Sequence, residues 1–133
     1  MKRFVTDGGR SAFGFDNEDN DCAVIALSYV MEITYKEAHT KLDSAGRSYR
    51  EGFHIIEFLE HCTFKGYNIA KSLKYKKGSR PTEEEFALEH KRGNWLVYTK
   101  GHLIAVINGV IYDNRKHPSA NKVQYAWRFE KIS

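Results

Sequence analysis

Cysteine is scarce in this chain, with two in 133 residues. Two thiols cannot build the disulfide framework of a small secreted domain, and Cys22 and Cys62 are too far apart for any zinc-ligand spacing. They read as free thiols in a reducing compartment. Long apolar runs are also missing. None approaches the ~20 residues of a membrane span, and the first residues, Met1 to Gly9, lack the apolar core of a secretory signal. The expected location is the cytoplasm, with no membrane partner. Internal repeats, low-complexity tracts and domain linkers are absent too. An excess of acid is also lacking: the net charge is +4 and the pI about 9.0. That mild basicity is compatible with an acidic partner without requiring one.

Apolar residues make up 41% of the chain and aromatics 14%, enough to bury one core, so residues 1–133 are expected to form a single domain. Its centre is the stretch Asn20-Asp21-Cys22-Ala23-Val24-Ile25-Ala26-Leu27-Ser28-Tyr29-Val30. A capping residue is followed by a thiol and then by an apolar run free of Gly and Pro. This predicts a helix from about Cys22 to Met31, apolar around most of its circumference and therefore central. Unpaired N–H groups at a helix N-terminus stabilise a thiolate there.

Ahead of this helix the chain reads as loop, with one short strand near Lys2 to Thr6. After it, Thr34 and Glu37 form a capping box for a second helix, Tyr35 to about Asp43, with Ala38 and Leu42 facing inward. A third helix is expected from Gly52 to His61, and a short strand over 66–70. Lys71 to Arg80 is basic and reads as an exposed loop. Thr82 caps a fourth helix, which opens with Glu83, Glu84 and Glu85 at its positive end and continues through Phe86, Ala87 and Leu88. The period then changes to that of strands: Trp95–Thr99, His102–Ile107, Val110–Asp113 and Val123–Phe129. Helices followed by an antiparallel sheet make the fold class α+β.

Asn108-Gly109 is the strongest two-residue hairpin signal in the chain. A two-residue turn there pairs Ile107 with Val110, Val106 with Ile111, Ala105 with Tyr112 and Ile104 with Asp113. Side chains alternate along strands, so His102, Ile104, Val106, Ile111 and Asp113 share one face. Asp113 becomes the diagonal neighbour of His102, about 7 Å away at the anchor atoms, and Asn114 points to the other face. Asp113 is therefore the residue expected to accept a hydrogen bond from the His102 ring. A carboxylate behind an imidazole fixes its tautomer, and a cysteine facing that imidazole is an activated nucleophile. Cys22, His102 and Asp113 supply those three parts.

Taken singly, these residues have plainer readings. A cysteine in an apolar helix is most often a small buried hydrophobe, His102 is a polar residue at a strand end, and Asp113 a turn cap. It is the combination that favours catalysis. His61-Cys62 has no further ligand at a metal-like spacing and reads as structural, so no metal or other cofactor is expected. His39, His54, His90 and His117 are expected at the surface. Trp95, Tyr98 and Trp127 suit either a cleft or the core. Lys71, Lys74, Lys76, Lys77 and Arg80, with Tyr75 among them, suit nucleic acid through phosphate contact and base stacking, although such runs are most often merely solvated.

Asp21-Cys22-Ala23 opening a helix, and Gly101-His102-Leu103-Ile104-Ala105-Val106 followed by Ile111-Tyr112-Asp113, resemble the papain-like cysteine peptidases. The nearest look is to the compact bacterial peptidase domains that process double-glycine leader peptides. Small phage and bacterial proteins of papain-like fold are similar in a less specific way, and a phage member would act in the host cytoplasm. The resemblance spans about Asn17 to Asn114. It implies N-terminal helices, with the cysteine at a helix start, packed on a C-terminal antiparallel sheet. It also implies Cys22 as nucleophile, His102 as general base and acid, and Asp113 as the orienting residue, acting on a peptide or protein substrate through a thioester.

One position departs from the family pattern. Where the family carries a glutamine that donates to the oxyanion, this chain has Asp16, which accepts and cannot donate. Asn17 and Asn20 are the nearby amides able to replace it, and the Cys22 backbone N–H is a further donor. Two other readings use the same residues: an acyltransferase of transglutaminase type, and an inactive papain-like binding module for a nucleic-acid complex.

Overall fold

The computed structural model describes residues 2–6, 22–44, 67–99, 102–113 and 122–132. Within them the chain is α+β, with a single six-stranded sheet. The helices are α1 (Cys22–Val30), α2 (Tyr35–Ser44) and α3 (Glu83–Glu89). The strands are β1 (Lys2–Val5), β2 (Tyr67–Lys74), β3 (Asn94–Thr99), β4 (His102–Ile107), β5 (Val110–Asp113) and β6 (Val123–Lys131). The helix expected over 52–61 lies outside the described residues. Among those described, no helix is long and apolar enough to cross a membrane.

Across the sheet the strand order is β1-β5-β4-β3-β6-β2. Five strands are antiparallel, as expected, but β1 joins β5 in parallel, with Arg3 beside Ile111 and Val5 beside Asp113. The sheet is therefore not purely C-terminal. Its two edge strands come from the first two-thirds of the chain, held by partners distant in sequence.

The β4–β5 turn has the expected register, with Ile107 opposite Val110, Val106 opposite Ile111 and Ala105 opposite Tyr112. Asn108 and Gly109 both take positive φ, 50° and 80°, which a two-residue hairpin of this hand demands and which Asn and Gly tolerate best. The Asn108 side chain also accepts from the Gly93 N–H at 3.0 Å, tying this turn to the start of β3.

Alternation gives the sheet two apolar faces. Leu96, Leu103, Ala105, Trp127 and Phe129 pack against α1 and α2. Trp95, Val97, Ile104, Val106, Ile111, Val123 and Ala126 pack against Phe86 and Ala87 of α3. The first group is called the α1 face below and the second the α3 face. Trp95 and Trp127 are thus core residues. Helix α1 is buried over most of Ala23–Val30, as an all-apolar helix must be. Its end is held from the sheet side: Asn94 Nδ2 donates to the Val30 carbonyl at 3.0 Å, and the Tyr67 hydroxyl donates to the Met31 carbonyl. Glu32 then takes a left-handed φ of 55° and ends the helix.

The expected capping box of α2 is formed, and the expected Thr82 cap of α3 is a capping box as well. Thr34 Oγ1 accepts from the Glu37 N–H at 3.1 Å, and Glu37 accepts from the Thr34 N–H at 3.2 Å. Thr82 and Glu85 do the same for α3, at 3.1 and 2.9 Å. These bonds, led by the backbone one, hold the exposed carboxyls of Glu37 and Glu85 below the ordinary range.

Two surface assignments need correction. Residues Lys71 to Lys74 belong to edge strand β2 and are not loop. A register shift between Ile69 and Lys71 lets β2 serve both cores: Tyr67 and Ile69 pack on the α1 face, and Leu73 and Tyr75 on the α3 face. The apolar residues are spaced by that bulge, so no clean alternation marks the strand. His39 is buried beside Tyr35. His90 is half-buried, stacked on Phe86 with ring centroids 4.1 Å apart and held by the Phe86 carbonyl. Each lies one helical turn after an aromatic on the inward side of its helix, which is why neither is fully exposed. His54 and His117 lie outside the described residues.

Thr82→Ala should lower the stability of the protein by about 1 kcal/mol, read as a fall in the urea midpoint. An unchanged midpoint would mean that packing of Phe86 alone holds α3.

Candidate functional site

His102 is the first residue of β4 and Asp113 the last of β5, at the same end of the hairpin. Alternation puts both on the α3 face, and the Asn-Gly turn fixes their offset. His102 Nε2 lies 2.7 Å from Asp113 Oδ1. Both residues are buried, at 4% and 2% exposure, so neither pairing competes with bulk water. With a carboxylate as acceptor, Nε2 is the protonated nitrogen in this tautomer. The expected hydrogen bond between these two residues is thus present.

Asp113 has a second partner that sequence reasoning missed. Arg3 Nη1 donates to Asp113 Oδ2 at 2.6 Å, and Arg3 Nη2 donates to Glu83 Oε1. The Asp113 carboxylate therefore divides its two oxygens between an imidazole and a guanidinium. Arg3 arrives through β1, whose parallel register places it beside Ile111 on the α3 face. The Thr6 N–H donates to the Asp113 carbonyl at 2.8 Å, extending that pairing past the strand.

Glu83 is the first residue of α3 and is 1% exposed. Its Oε2 has no hydrogen-bond partner among the described residues. Burial pushes its carboxyl above the ordinary range. The Arg3 hydrogen bond and charge oppose that rise, the Asp113 charge adds to it, and His102 opposes it weakly. A sequence signal for this burial existed: Glu83, Phe86 and Ala87 stand at i, i+3 and i+4, the inward stripe of the helix. For Arg3 no local signal existed, because its placement depends on a strand pairing over most of the chain.

Cys22 is the first residue of α1, as expected; its side chain lies outside the described atoms. Helix α1 packs along β4 on the α1 face, opposite the face carrying His102. The Val30 carbonyl is fixed by Asn94, which pairs with Ile107 at the far end of β4. The helix C-terminus therefore sits at the hairpin-turn end, and Cys22 is directed toward the His102 end. Helical side chains lean toward the N-terminus. Tyr29 does so, stacking on Tyr112 and placing its hydroxyl 2.8 Å from Thr6 Oγ1 beside the Asp113 end of the sheet. Asp16, Asn17, Asn20, Cys62 and Asn114 lie outside the described residues.

Scans against protein-family models, curated proteins and solved structures each return no match.

Glu83 makes a stability prediction with a definite sign. Its folded-state pKa is raised, so the folded protein keeps this proton to higher pH than the unfolded chain does. Its contribution is full below the ordinary carboxylate range and is lost as pH rises through the raised value. Glu83→Gln removes that loss. Urea midpoints measured between about pH 4 and pH 7 should show the variant gaining on the parent as pH rises. A constant difference would mean that Glu83 titrates normally.

Proposed function

We propose that this protein is a cysteine hydrolase of papain-like fold that cleaves peptide or isopeptide bonds, with Cys22 as nucleophile, His102 as general base and acid, and Asp113 as the orienting residue. The observation that carries this reading is the buried His102–Asp113 hydrogen bond at the end of the sheet toward which the N-terminus of α1 is directed. A histidine held by a carboxylate in a dry setting is the base such chemistry requires.

Because Nε2 is engaged by Asp113, the proton of the Cys22 thiol passes to His102 Nδ1. The thiolate, stabilised by the N–H groups opening α1, attacks the carbonyl carbon of the substrate amide. The Cys22 backbone N–H and an amide from Asn17 or Asn20 bear the oxyanion. The C–N bond breaks, the imidazolium gives its proton to the leaving amine, and a thioester remains. Water, deprotonated by His102, then releases the acid and restores the thiol. Helix α1, which carries Cys22, covers the face of the sheet opposite the His102 ring, so in this reading the thiol reaches the ring over the end of the sheet, where His102 is the first residue of β4.

Alkylation by iodoacetamide, mapped by mass spectrometry, tests this without a known substrate. Cys22 should react faster than Cys62 at neutral pH, and His102→Ala should slow Cys22 while leaving Cys62 unchanged. Equal rates, or indifference to His102, would overturn the reading. Once a peptide substrate is in hand, Cys22→Ala should abolish turnover. Asp113→Asn should lower kcat by up to about 10⁴-fold through the wrong tautomer, with KM little changed.

A further inference from the structure

The His102–Asp113 pair is in contact with a second pair of charges that the catalytic steps above do not use. Four groups, three of them buried and Arg3 nearly so, form one chain: His102 to Asp113, Asp113 to Arg3, and Arg3 to Glu83. They come from β4, β5, β1 and α3. Among the described residues, Lys122, just ahead of β6, is a further charge near the start of α3, where it acts on the exposed Glu85. On the α3 face, β3 and β6 contribute Val97, Thr99 and Val123 here, and the charged residues that alternation places on that face of β6, Arg128 and the exposed Glu130, lie toward the opposite end, Arg128 beside Trp95 and Gly93. Glu84 and Glu85 of α3 are exposed. Helix α1 adds the positive end of its dipole.

In such a chain the charges are interdependent. When His102 is protonated, it and Arg3 compete for one carboxylate. Arg3 alone would neutralise Asp113 and weaken its hold on the imidazolium. An ionised Glu83 counters Arg3 and leaves the charge of Asp113 to His102. A protonated Glu83 returns Arg3 wholly to Asp113. We propose that Arg3 and Glu83 are positioning residues that set the charge of His102 through Asp113, Glu83 favouring the imidazolium and Arg3 opposing it. The catalytic meaning of this role rests on the function proposed above, but the role itself does not.

The geometry supports it beyond mere proximity. Glu83 has one oxygen on Arg3 and one with no hydrogen-bond partner among the described residues, in a setting where an unsatisfied carboxylate oxygen is costly. Its ionisation therefore depends on the Arg3 contact. The opposing effects of Asp113 and His102 on the Glu83 carboxyl show the same coupling from the other end.

The test reads His102 directly. The protein is labelled with ¹³C-histidine, the His102 ring signal is assigned with a His102→Gln variant, and its titration is followed by NMR. Glu83→Gln, which is isosteric, should move the His102 midpoint down, and Arg3→Met should move it up, each by about one unit. A merely structural role would not displace one residue in opposite directions. Shifts of the same sign, or no shift in Glu83→Gln, would overturn the proposal. Should Arg3→Met fail to fold, the Glu83→Gln result decides alone. The pH profile of Cys22 alkylation, taken on the same variants, separates the two claims. If the His102 midpoint moves as stated and the Cys22 profile does not follow, the positioning role stands and the nucleophile assignment falls.

Discussion

The Asp113 carboxylate is the point on which this structure turns. A carboxylate at 2% exposure is costly to bury unless its oxygens are met by donors. Here one oxygen takes an imidazole N–H and the other a guanidinium N–H. That requirement reaches outward. It draws β1 in as a parallel neighbour of β5, and it places Arg3 where α3 must answer with Glu83. It also fixes the imidazole with one nitrogen committed. Remove Asp113, and the His102 ring loses its acceptor while Arg3 loses one of its two carboxylates.

The sheet separates two tasks. Its α1 face is an apolar bed for a helix buried over most of Ala23–Val30, and its α3 face carries an apolar patch against Phe86 and Ala87 with the charge chain at one end. Neither face alone could hold both halves of the proposed site, because α1 covers one and the charge chain occupies the other. His102 and Asp113 both stand at the end of the sheet by virtue of a two-residue turn.

What was legible in the sequence was local. Asn108-Gly109 dictates its own turn, and the register of a tight hairpin follows from the turn without further information. Hence the choice of Asp113 over Asn114 as partner of His102 was available from a dozen residues. Thr34-Glu37 and Thr82-Glu85 are similarly self-contained. The α+β class followed from the change of period near Asn94. What escaped was non-local or masked by charge. The parallel pairing of β1, and with it the role of Arg3, depends on residues 110 positions away. Lysines hid β2, because an exposed edge strand can carry charge on both sides of its pleat. Glu83 passed as a favourable charge at a helix start, a reading its inward spacing with Phe86 and Ala87 overrides. The papain-like resemblance bears on function and stays in the proposal, while the α+β architecture stands without it.

The parallel seam between β1 and β5 has a consequence for the order of assembly. The β4–β5 hairpin closes over a short span and can form early, whereas β1 must wait for a partner that lies beyond most of the chain, and loop closure over such a distance is slow. Until β1 arrives, Asp113 lacks Arg3 and Arg3 lacks Glu83. The imidazole–carboxylate pair is then a solvated surface contact, and its charges are screened. During synthesis on the ribosome the N-terminal strand emerges first and is used last. The nascent chain therefore carries Arg3, α1 and α2 well before His102 and Asp113 are made. The charge chain is complete only once β1 has docked on β5.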